Sequence, residues 1–224
     1  MSNSGATGSN VRKAMTAVDA TEFLLDHFRK ISEWVKADPE LVANFLKGDD
    51  WSLIIRCTAM TEAVLDSAIL SVLGKVEIQE EISRLPLADS RIGKVRLARK
   101  LGIIESGDEA LLRTLAELRN EIAHGIGGIS FRFSYSSSKK TVAFLNRVWM
   151  DDPVVSRVRQ AVTIERSNLM ALLQVSIVWA RCIAVAERAD RQRKVVENQL
   201  ELVELWISSG KAGEVELSRL QEDE

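Results

Sequence analysis

The chain has 224 residues, with 30 Lys plus Arg against 32 Asp plus Glu and a net charge of −2. Its 46% hydrophobic and 28% charged residues suit one large domain, or a domain with an appendage, able to bury a real core. A pI near 5.9 excludes a uniformly basic nucleic-acid binder, so contact with nucleic acid would need a local patch.

The first segment, residues 1–12, opens "MSNSGATGSN". It is small and polar, lacks the apolar core of a signal peptide, and reads as a disordered lead-in. From about 15 to 36 Phe23, Leu24, Phe28, Ile31 and Val35 recur at threes and fours, the period of an amphipathic helix. "DPE" at 38–40 starts a short second helix ending at Gly48, and a third runs from Trp51 to Leu73, where Gly74 stops it. "PLADS" at 86–90 is a loop, with Ser90 as the expected cap of a helix from Arg91 to Leu101 that Gly102 closes.

Asp108 and Glu109 open the next helix, placing acids at the positive end of its dipole. Gly125, Gly127 and Gly128 break it. The stretch 129–147 alternates, with Phe131, Phe133 and Tyr135 on one side and "TVAFL" answering after a polar turn, so a small β-hairpin is expected there. A long helix follows from about 164 to 208. It is apolar to Val185, then charged through "ERADRQRK", and then carries a stripe at Val196, Leu200, Val203 and Ile207. Such a length outreaches a small bundle, so its last third must pack on another chain or bend back. Residues 210–224 form an acidic tail expected to fray.

The fold class is therefore all-α, one domain over 13–209. No uninterrupted apolar run reaches the length of a bilayer span; "LLQVSIVWARCIAVA" comes closest but carries Arg181. Cys57 and Cys182 sit in apolar helical patterns and read as reduced core residues of a cytoplasmic protein.

The sharpest chemistry lies in "ELRNEIAHG", residues 117–125. Leu111, Leu115, Leu118 and Ile122 form the core seam of this helix. At about 100° per residue, Arg119 falls at the edge of the seam and His124 nearly opposite it, beside Glu117 and Asn120. On one straight helix the two do not converge. They would cooperate only if the last turn distorted or a second molecule met that face. An ordinary helix end explains the same residues: histidine in the last turn and glycine beyond it are favourable, and Arg113 with Glu117 makes an exposed pair.

A second candidate is the basic helix "SRIGKVRLARK", in which Arg91, Lys94 and Lys100 could line a phosphate-binding strip. The plainer alternative is a solvated face balanced by the acids at 77–81. His27 and His124 with two isolated cysteines give no metal-ligand spacing. "GIGGI" follows a helix rather than a strand, so it is no phosphate loop, and no nucleophile-elbow serine occurs. No cofactor is expected. Trp51, Trp149, Trp179 and Trp206 read as core or interface residues, and His27 as a packing residue.

Over about residues 50–133 the chain resembles the mannitol-operon-repressor-like proteins, a branch of the HEPN (higher eukaryotes and prokaryotes nucleotide-binding) superfamily. The resemblance rests on the order of "AMTEAVLDSAILSVLG" with Glu62, "RLPLADSRIGKVRLARKLGII", and "LRNEIAHG". It implies a helical bundle that dimerises through its motif helices. In catalytic members the Arg-polar-x3–5-His pattern makes a metal-independent ribonuclease site. His124 would then be the general acid or base at a ribose 2′-hydroxyl, Arg119 would stabilise the phosphoryl transition state, and Asn120 would orient one of them. Glu62 would anchor Arg119 in an ion pair, which would count against catalysis.

Two functions follow. One is a regulatory module, akin to the mannitol repressors, acting through protein or RNA contacts. The other is an endoribonuclease of a toxin–antitoxin or phage-defence system. Either would be a homodimer with a regulator, an antitoxin or RNA as partner, and no membrane. No basic recognition helix marks a direct reader of DNA sequence.

Overall fold

The computed structural model describes residues 26, 29–31, 33–34, 48–124, 130–133, 138–148 and 167–208. Among them every regular element is helical and no strand occurs, so the fold is all-α. In chain order these are α1 (Asp50–Leu73), a 3-10 turn (Val76–Ile78), α2 (Gln79–Arg84), α3 (Lys94–Lys100), α4 (Ser106–His124), α5 (Lys139–Val148) and α6 (Ser167–Ser208). Residues 26, 29–31 and 33–34 are also helical, within the first expected helix. The lead-in, residues 38–47 of the second expected helix, Trp149, His27 and the acidic tail lie outside the described residues.

α1 starts where Asp49 accepts a hydrogen bond from the Ser52 amide at 2.7 Å, satisfying one of the donors that a helix start leaves open. It stops at Gly74, whose φ of 66° is left-handed backbone that glycine adopts without a Cβ penalty. Gly102, at φ 71°, ends α3 in the same way. α4 begins with a capping arrangement: Asp108 accepts from the Glu105 amide at 3.0 Å and pairs with Arg181 of α6 at 2.8 Å. Its seam Leu111, Leu115, Leu118 and Ile122 is buried, as the spacing predicts.

The core is built chiefly by α6 on α1, with α4, α3 and α5 closing the other sides. Trp179 of α6 is fully buried and donates its indole N–H to Thr61 Oγ1 of α1 at 2.9 Å. Cys57 and Cys182 are buried free thiols. Burial pushes the Cys57 thiol far up, and with the nearby Asp108 charge it pushes Cys182 up to about 12, so neither carries thiolate reactivity at neutral pH.

Three expectations need correction. The second arm of the hairpin is α5: Ser138 Oγ accepts from the Thr141 amide at 3.1 Å and caps a helix, which buries Thr141, Phe144 and Val148 at intervals of three and four. In the first arm Phe131 and Phe133 are buried, packed edge to face at 5.2 Å, but the Phe133 amide donates to Asp50 Oδ2 of α1 at 2.8 Å instead of to a neighbouring strand. Residues 134–137 lie outside the described set. Arg113 pairs with Glu109 at 3.0 Å rather than with Glu117, because an acid four residues towards the N-terminus is the better-placed partner on a helix. Finally, Met170–Ser208 is long and apolar enough, by length and composition, to cross a membrane; its apolar half instead fills the bundle core from Met170 to Cys182.

Candidate functional site

α3 begins three residues later than expected because the preceding loop folds back on it. Asp89, not Ser90, makes the turn: its Oδ1 accepts from the amides of Arg91 at 2.7 Å and Ile92 at 3.0 Å. These bonds hold the Asp89 carboxyl below the usual range. The Lys94 and Val95 amides then donate to the carbonyls of Pro86 and Leu87 at 2.9 and 3.0 Å. Arg113 of α4 reaches the Ala88 carbonyl at 3.5 Å.

The loop so pinned becomes one wall of a groove of about 450 Å³. α1 supplies Thr58 and Glu62, α4 supplies Ala116, Glu117, Arg119 and Asn120, and Asp89 stands on the loop rim. Thr58 turns its hydroxyl back to the Ile54 carbonyl at 2.8 Å, so the ionic character comes from Glu62, Asp89, Glu117 and Arg119. Three carboxylates and one guanidinium line the groove, and Arg91 and Arg113 act on Asp89 from beside it.

Arg119 donates to the side-chain oxygen of Asn120 at 3.1 Å, and both are exposed. Glu62 shares the groove, but no ion pair within 4 Å joins it to Arg119 among the described residues, so the expected anchoring is not formed. α4 runs unbroken to His124. The imidazole is exposed at the helix end, one turn past Asn120, and is not among the described residues lining the groove. The final turn therefore does not distort to bring His124 onto Arg119.

The basic strip is not assembled either. Lys94 is buried and paired with Asp66 of α1 at 2.8 Å, while Arg91 and Lys100 are exposed. Balance comes from within the bundle rather than from the acids at 77–81: Arg99 approaches Glu109 at 4.0 Å, and Glu80 pairs with Arg84 of its own helix. The sequence reading missed Asp89 and Glu117 as groove residues. The available signal was an aspartate two residues before a turn arginine in "ADSRIG".

Gly93 holds the wall in place. A Cβ there would lie 2.5 Å from both the backbone N and O of Asp89, and backbone cannot swing aside as a side chain can. Gly93→Ala is expected to cost about 2 kcal/mol and to displace the loop. Gly107→Ala, in open space on α4, should instead be neutral or stabilise by up to about 1 kcal/mol. Urea unfolding of the two variants separates these outcomes; equal midpoints would refute the tight packing at Gly93.

Comparison of the chain with protein-family models, with curated proteins and with solved structures finds no match.

Proposed function

We propose that the chain is a regulatory module of the mannitol-repressor-like, HEPN-like kind, a cytoplasmic homodimer that grips a partner protein and does not cut RNA. The observation that carries this reading is the character of the groove beside Arg119. A phosphodiester entering it meets Glu62, Asp89 and Glu117 against one guanidinium, and like charges at short range oppose binding. A lysine or arginine from a partner protein meets the complementary field. Arg119 would then orient a carboxylate or carbonyl of the same partner, with Asn120 holding its fork.

The second reading, a metal-independent ribonuclease of a toxin or defence system, rests on the exposure of both Arg119 and His124. A strand spanning from the groove past Asn120, or a second copy against this face, could use both groups. Incubation with single-stranded RNA in EDTA decides between them. Wild type and His124→Ala should leave the RNA intact, and a short Arg/Lys-rich peptide should bind wild type roughly tenfold more tightly than Glu62→Gln/Glu117→Gln. RNA cleavage that disappears in His124→Ala would install the ribonuclease instead.

A further inference from the structure

α6 and α1 run in the same direction. Trp179 meets Thr61, and fourteen residues on, Arg193 donates to the carbonyl of Ser71 and lies over Gly74, where α1 stops. The face that packs on α1 through Trp179, Cys182 and Ala186 continues at the same intervals of three and four as Val196, Leu200, Val203 and Ile207. From Lys194 to Ser208 every residue is exposed, and these four are 53, 57, 50 and 58% exposed. A core-type face thus runs roughly 20 Å beyond the element that covers it. Scattered apolar residues on a surface need no explanation; a contiguous row does.

We propose that this row docks a second copy of the chain, the two α6 ends lying antiparallel. The intervals four, three, four read the same in both directions. A two-fold axis between Leu200 and Val203 therefore sets Val196 opposite Ile207 of the second copy and Leu200 opposite its Val203. That contact is self-complementary and closes at two chains. A parallel arrangement is sterically barred, because the second α6 would continue into the space that α1 occupies. Antiparallel, each end stops level with Arg193 and Gly74 of the other, and the two bundles sit at opposite ends of the pair. Glu197 and Glu204 border the row on one edge, so the edges of the two copies repel mildly and salt strengthens the contact. The proposal uses no residue of the groove; it rests on the homodimer proposed above and places the contact at the α6 ends, away from the motif helices.

The overlap is short for a helix pair, so the association is expected in the micromolar range. Sedimentation velocity of the full chain from about 1 to about 300 µM should pass from monomer to dimer, more readily at higher salt. Leu200→Glu/Val203→Glu should weaken association at least about tenfold with its helical circular dichroism intact. Under mild oxidation, Val196→Cys mixed with Ile207→Cys should form the mixed disulfide, and Val196→Cys alone should not couple to itself; the buried native thiols stay out of the reaction. Monomer at every concentration, a dimer indifferent to the double glutamate variant, or self-coupling of Val196→Cys would each overturn the proposal. So would flotation of a monomeric wild type with phosphatidylcholine vesicles that the double variant loses, which would assign the row to a bilayer.

Discussion

Lys94→Ala is expected to lower the free energy of unfolding by about 3 kcal/mol, the lower end of what breaking a buried ion pair costs. Lys94 is 3% exposed and Asp66 21%, so the aspartate left behind has partial access to water. Its Oδ1 already has no hydrogen-bond partner, and burial raises the carboxyl above its ordinary value against the pull of Lys94. Without the ammonium that opposing pull is gone and the carboxyl rises further. A carboxyl raised in the folded state favours folding fully below its unfolded value of about 3.9 and loses that contribution as pH rises through the folded value. The deficit of Lys94→Ala should therefore narrow as pH falls from 7 towards 4. Lys94→Met/Asp66→Leu, which removes both charges, should recover most of the loss, whereas Arg91→Ala on the exposed turn should stay within about 0.5 kcal/mol. Urea titrations at two pH values measure all of these. A pH-independent deficit, or one no larger than that of Arg91→Ala, would show that Lys94 is a surface residue after all.

Lys94 also shows where sequence reading reaches its limit. "SRIGKVRLARK" places five cations in ten residues, and charge density alone reads as an outward face. Yet Lys94 lies one turn before Ala98 and beside Val95, both buried, so the period of the short helix turns it inward. Only Asp66, 28 positions earlier, makes that burial tolerable, and a pairing so distant leaves no local trace. The α4 seam, the glycine stops at 74 and 102 and the long last helix were legible because each depends on periodicity or on one residue's backbone freedom. The segment "SKKTVAFLNRV" was not. Its apolar residues satisfy alternation and the helical period almost equally well, and the Ser138 cap and the burial of Phe144 against Phe133, with rings stacked at 6.0 Å, decide for the helix. At the site, the angular separation of Arg119 and His124 could be worked out from spacing. The carboxylate lining of the groove could not, since Asp89 and Glu62 arrive from other elements.

Trp179→Ala should be the most damaging single truncation, costing about 4 kcal/mol. The indole is 1% exposed and sits midway along the α1–α6 contact that organises the bundle. The cost has two separable parts. Thr61 Oγ1 accepts from the indole at 2.9 Å and donates to the Cys57 carbonyl at 2.7 Å, so Trp179→Phe keeps most of the ring volume but loses one bond, at about 1–2 kcal/mol. Thr61→Val strands the indole N–H in the core and should cost at least as much, because an unmade buried donor carries its full desolvation penalty. Trp179→Phe/Thr61→Val removes both partners of the cross-helix bond and should cost less than the sum of the single changes. Strict additivity in that cycle would mean that the indole–hydroxyl bond contributes nothing. The apolar end of α6 continues the same face, so Trp179→Ala also tests whether α1 fixes the direction in which that end projects. If it does, the alanine variant should lose dimer formation together with stability, although it leaves Val196, Leu200, Val203 and Ile207 unchanged.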